Sequence, residues 1–264
     1  MRAAAAMVAT LALAAAAPPA TPPVEPPHAA APTTPVSAAA SPADPVRAGR
    51  VLFNDPSLSG GGTIACATCH PRGGHTDNRT YLGLEVVPDG TPEGRSTPLL
   101  WGARDTEPYS WAGGKTLKET IRGIIVNRMK GKEPTEARLD QLAAYVLSLD
   151  LPPNVNLDAD GTPSAAASAA ARRGYDVFVK ASCNICHAPP VFSKADSEDI
   201  GSGGTFSVPS LRGLSGTAPY FHDGRFATLR VLLPAKLKLL QELGVTDALT
   251  NDEIEDLLAF LSTL

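Results

Sequence analysis

The chain writes one short pattern twice, Cys66-Ala-Thr-Cys69-His70 and Cys183-Asn-Ile-Cys186-His187, and these hold all four of its cysteines. Each copy sits at the matching place of an internal repeat. The first half runs through GRVLF (49–53), CATCH (66–70), TPLLWGARDTEPYSWAGGKTL (97–117) and LDQLAAYVLSL (139–149). The second runs through RGYDVF (173–178), CNICH (183–187), VPSLRGLSGTAPYFHDGRFATL (208–229) and IEDLLAFLSTL (254–264). Pro98, Pro108, Tyr109, Trp111 and Gly113 stand 111 positions before Pro209, Pro219, Tyr220, His222 and Gly224. Both cysteine motifs therefore face equivalent surroundings, and one chemistry must account for both.

Two cysteines three apart near a helix start can form thioethers with both vinyl groups of a haem, and the next histidine then lies under the iron. A redox dithiol would sit beside a βαβ pattern, which is absent. Four-cysteine zinc sites space their pairs by ~15–20 residues, whereas Cys69 and Cys183 are 114 positions apart. Two disulfides would leave the twin histidines without a role. The reading is two covalent haem c groups, with Cys66, Cys69, Cys183 and Cys186 as attachment points and His70 and His187 as iron ligands. Composition agrees: aromatic residues are only 5% of the chain, and a bound porphyrin supplies the large apolar body that small helical domains lack.

The N-terminus reads as an export signal over 1–17, with Arg2 before the apolar run AAAAMVATLALAAAA. A Pro/Ala-rich spacer follows at 18–43, in which His28 is a solvated bystander. The expected organisation is then a cytochrome c-like domain at 44–150, a linker at 151–165 and a second such domain at 166–264. The fold class is mostly α, two tandem domains each around one haem. Leu139, Leu142, Ala143, Val146 and Leu149 fall on one helical face, as do Ile254, Leu257, Leu258, Leu261 and Leu264. Thr250 and Glu253 form a capping box for the last helix, with Leu249 and Ile254 as its staple. A net charge of -4 gives no electrostatic case for nucleic acid, and no membrane span is expected once the signal is removed.

The sixth iron ligand separates an electron carrier from a catalyst, because a free position can bind peroxide. Met129 is the one methionine outside the signal and is the expected second ligand of the first haem. The second half has none; its iron is either open or capped by His222, Lys236, Lys238 or Tyr220. His222 is also a candidate propionate partner and a candidate acid/base group, and His75 a solvated or propionate-binding one. Trp111 is a candidate electron relay between the haems, with a packed core role as the alternative. The basic stretch 104–138 reads mostly as a solvated face.

GRVLFNDPSLSGGGTIACATCHP (49–71), W-x-G-x-x-T-L (111–117) and VPSLRGLSGTAPYFHDGRFATL (208–229) resemble the bacterial dihaem cytochrome c peroxidase and MauG-type superfamily. The resemblance implies a periplasmic two-domain dihaem protein that takes electrons from a small periplasmic carrier at one haem. It delivers them to hydrogen peroxide or a protein substrate at the other. It places Trp111 between the haems, matches His222 to the family's FHDG histidine, and admits an interdomain calcium. The family's sixth ligand in the second domain falls near Lys236, and its distal glutamate in the segment matching IIVNRMKGK (124–132), which has no carboxylate. Two functions follow: a dihaem electron-transfer cytochrome with peroxide reduction at one haem, or a pure electron-transfer module; a redox or small-ligand sensor is the third option.

Overall fold

The computed structural model describes residues 44–201 and 203–264; the expected signal, the spacer and His28 lie outside them. Chain order gives α1 (Pro45–Phe53), the single turns α2 (Cys66–Cys69) and α3 (Pro71–Gly74), and a small sheet of β1 (Thr80–Leu82), β2 (Glu85–Val87) and β3 (Arg95–Ser96). Then come α4 (Leu117–Gly123) and α5 (Glu136–Leu147). The second half has α6 (Ala169–Lys180), the two-stranded β4 (Ser197–Asp199) and β5 (Thr205–Ser207), α7 (Leu229–Glu242) and α8 (Asn251–Leu261). The protein is helix-rich with small antiparallel sheets, of order β2-β1-β3 and β4-β5. The sequence pattern suggested no strands, and these are two or three residues long, too short for alternation to show. Among the described residues no helix is long and apolar enough to cross a membrane.

In each half the opening and closing helices cross at a glycine. Gly49 of α1 lies on the Gln141 carbonyl of α5, and an added Cβ there would stand 2.7 Å from Cβ of Tyr145. Gly174 of α6 lies the same way on the Asp256 carbonyl of α8, with Cβ of Phe260 at 2.8 Å. The aromatic pairs beside these crossings also match: Phe53 meets Tyr145 edge-on at 5.0 Å and Phe178 meets Phe260 at 5.4 Å. Such pairs add about 0.5–1.5 kcal/mol beyond area burial.

Local signals place the helix ends. Asp44, Thr135, Ser168 and Thr250 cap α1, α5, α6 and α8 through side-chain oxygens, each worth roughly 1 kcal/mol. The Thr250–Glu253 capping box forms as expected, and Leu249 and Ile254 both pack on the second core. The first core gathers Phe53, Leu58, Ile125, Met129 and Leu142; the second gathers Phe178, Phe192, Leu233, Leu257 and Phe260.

A carbonyl oxygen fills the space a Cβ would need at Gly49, so Gly49→Ala is expected to destabilise the protein by roughly 1–3 kcal/mol. Gly123→Ala, at a helical position with open space around it, is expected to stabilise it by about 1 kcal/mol or less. Denaturant unfolding of the two variants checks the contrast.

Candidate haem sites and the junction between the halves

His70 follows directly on α2, whose short turn places Cys66 and Cys69 ahead of it. The second motif is a 3₁₀ turn, Cys183–Ile185, entered through the left-handed Ser182. All four cysteines are free thiols, each partly exposed. Burial pushes the Cys66 and Cys183 thiols up to about 11, so neither is the activated thiolate of a redox dithiol.

Both histidines are held in the neutral form. Burial is the main cause and pulls His70 and His187 down to about 4. His187 Nδ1 lies 3.1 Å from the Phe192 carbonyl; donation there leaves Nε2 with its lone pair, the form that ligates iron. The first half repeats the arrangement: the carbonyls of His75 and Pro98 bias His70 as those of Phe192 and Pro209 bias His187. His70 Nδ1 is buried and lacks a bonded partner, although these carbonyls lie close enough to favour its proton. An unpartnered buried imidazole beside two unlinked thiols fits a haem c; it does not fit a self-sufficient protein core.

Met129 is 3% exposed, within the first core and in the company of Cys66 and Ala67. It ends a π-helical segment, Ile124–Arg128, and its carbonyl accepts from Gly60 N at 2.9 Å. The same segment puts Arg128 beside Cys69 and over the Tyr81 ring at 5.8 Å. His75, expected to be solvated or propionate-binding, is buried. Its ring meets Trp101 edge-on at 5.0 Å and its Nδ1 lies 2.9 Å from the Thr76 carbonyl. Three cations of the basic stretch are ion-paired: Arg104 with Asp150, Lys118 with Asp140 at 2.7 Å and Arg122 with Glu133 at 2.8 Å. Among the described residues no three His, Cys, Asp or Glu side chains cluster as a metal cage, so no position is assigned to the calcium.

Trp111 and His222, equivalent in the repeat, meet each other with ring centroids 6.4 Å apart. Trp111 Nε1 donates to the Ser96 carbonyl at 2.9 Å, and His222 stacks on Phe206 at 3.8 Å. The backbone around them is exchanged between halves: Ser96 N donates to the His222 carbonyl at 2.9 Å, and Ser207 N to the Trp111 carbonyl at 3.0 Å. Gly113 and Gly224, both at positive φ, press onto the other half's hairpins at Ser197 and Thr80, leaving no room for a Cβ. Burial lowers the His222 pKa against the pull of Asp223, whose Oδ2 is 3.9 Å from Nε2. Desolvation works to raise the Asp223 pKa, but the Arg225 ion pair at 2.6 Å wins and holds the carboxyl below its usual range.

Comparison with known proteins meets this geometry at several points. A family model described as di-haem cytochrome c peroxidase matches residues 43–150. The methylamine utilization protein MauG of Methylorubrum extorquens is 30% identical, with 83% of this chain and 77% of that protein covered. The chain belongs to the di-haem cytochrome c peroxidase and MauG family. Another member, the cytochrome c551 peroxidase of Nitrosomonas europaea, is 26% identical over 84% of this chain and 80% of its own. In fold, the chain is similar to a MauG-like protein associated with microbial copper homeostasis, at 24% identity and a TM-score of 0.63, covering 88% of this chain and 91% of that one. Family membership brings haem, electron transfer and peroxidase-like oxidoreductase chemistry.

Sequence reasoning missed Ser96, Ser207, Phe206 and the helix α7. Ser96 and Ser207 carried a visible signal, because they too are 111 positions apart. Helix α7 was hidden by Pro234 inside it; a proline in a helix interior normally argues against one.

Proposed function

We propose that the chain is an exported, periplasmic dihaem c-type cytochrome that moves electrons between two covalent haems, one in each of two tandem cytochrome c-like halves. The observation that carries this is the pair of equivalent motifs, each offering two free thiols and a desolvated neutral imidazole. When bound, the haems supply reversible one-electron chemistry. Cys66 and Cys69 would hold the first group and Cys183 and Cys186 the second, with His70 and His187 as proximal ligands. Met129, from the same core that Cys66 packs against, would complete the first iron's coordination. Trp111 and His222, in contact at the junction, would give the shortest conjugated route between halves. A small periplasmic electron-transfer protein would be the donor or acceptor.

Peroxide reduction is the second reading, supported by a cavity of about 300 Å³ in the second half, lined by Phe221, Arg225 and Lys236. Hydrogen peroxide takes up two electrons and two protons to give water. The groups of this chain able to handle those protons are His222 and Asp223. His222 sits against Trp111 and Phe206 at the junction, and its neighbour Asp223 is ionised by Arg225. That placement supports a role for His222 in orienting the relay.

The double variants Cys66→Ala/Cys69→Ala and Cys183→Ala/Cys186→Ala should each remove one covalent haem and leave the other. Intact-mass measurement and pyridine haemochrome absorbance read this directly; retention of both haems in either variant overturns the proposal. Met129→Ala should convert the first haem alone from low to high spin in electron paramagnetic resonance. Trp111→Ala should slow interhaem electron transfer at least tenfold in flash-reduction kinetics while leaving haem content unchanged. An unchanged rate would remove Trp111 from the route.

A further inference from the structure

We infer that Lys236 is the sixth ligand of the second haem iron, its Nζ bound opposite His187. The inference rests on the dihaem reading above and deepens it.

Helix α7 carries Lys236 between Leu233 and Leu237, both buried in the second core, against which Cys183 also packs. Lys236 is thus on the inner side of the helix, only partly exposed, and lines the 300 Å³ cavity with Ala235 and Leu239. Its charge is felt by Cys183 and by His187, and both thiols of the motif act on it in return. Burial pulls its ammonium below the ordinary lysine range. No hydrogen bond or ion pair to it occurs among the described residues, whereas most lysines on the molecule with a neighbouring carboxylate use it: Lys118 pairs with Asp140, Lys180 with Glu253 and Lys194 with Glu198. A half-buried amine without a protein partner, beside a CxxCH motif, is a donor waiting for an acceptor.

The other groups able to cap this iron are committed elsewhere. Tyr220 donates its hydroxyl to the Leu214 carbonyl at 3.2 Å. His222 is stacked on Phe206 and meets Trp111 edge-on at the junction. Lys238 also lines the cavity, but 77% of its side chain is exposed and Glu242 lies 3.9 Å from its amine. Coordination needs the free base: the Nζ lone pair enters the iron coordination sphere and the ammonium proton leaves to solvent, with no change in oxidation state.

The test uses the holoprotein with both haems attached. Electron paramagnetic resonance and near-infrared magnetic circular dichroism of the oxidised wild type should show the second haem low-spin with two nitrogen ligands. Lys236→Ala and Lys236→Arg should each turn that haem high-spin and open it to added imidazole; the arginine variant keeps charge and bulk but has no free lone pair at neutral pH. Lys236→Met should restore a low-spin iron and add one equivalent of thioether–iron charge-transfer band. A second haem that stays low-spin with unchanged bands in both the alanine and arginine variants overturns the inference alone. Absence of covalent haem at Cys183 and Cys186 overturns it together with the haem reading.

Discussion

The halves hold each other through a reciprocal exchange of backbone hydrogen bonds. Ser96 serves the carbonyl of His222 and Ser207 that of Trp111. Each strand thus satisfies a turn that belongs to the other half, and each turn needs a glycine, Gly113 or Gly224, to come close enough. A net backbone hydrogen bond contributes only ~1 kcal/mol, but a buried unpaired partner costs more than that. The exchange therefore acts as a register lock: shifting either hairpin by one residue would leave both turns unsatisfied. It also brings Trp111 and His222 edge to face, the one contact between aromatic rings of the two halves among the described residues.

Away from the junction, each half solves one problem in the same way. A helix pair crosses on a glycine, aromatic rings fill the angle between them, and the CxxCH turn presents a desolvated neutral imidazole, without a partner at Nδ1 in His70 and against the Phe192 carbonyl in His187. The burial that holds these histidines neutral also keeps the Cys66 and Cys183 thiols protonated. Neutral imidazole and thiol together suit attachment of a porphyrin and oppose thiolate redox chemistry. The halves differ where their distal sides would be. The first offers Met129 from a π-helical turn, and the second offers an amine from a longer helix that tolerates Pro234. With haems bound as proposed, a thioether and an amine would stabilise iron's oxidation states differently, so equivalent motifs would carry distinct irons.

Much of this was legible in the sequence because it depends on spacing. The CxxCH pairs, the 111-residue register, the caps at Asp44 and Thr250 and the apolar faces of α5 and α8 are all periodic or local signals. What stayed hidden depends on distant pairing. The strands of two or three residues have no alternation of their own; they exist because Thr80, Ser96, Ser197 and Ser207 find partners across turns and across halves. His75 reads as a solvated or propionate-binding group, and nothing local shows that Trp101 packs on it. Lys236 is one of four candidate caps in the sequence, and only the packing of Leu233 and Leu237 on either side of it sets it apart.

The interleaving at the junction has a consequence for how such a chain can be taken apart. The unit that the sequence repeats ends near residue 150, but the unit that closes its hydrogen bonds does not. A single half cut at the connecting segment would carry a hairpin with no turn to serve and a turn with no hairpin. Grafting one half onto a foreign cytochrome would require importing the partner's Ser96 or Ser207 strand along with it. Inheritance here is modular, while closure is shared.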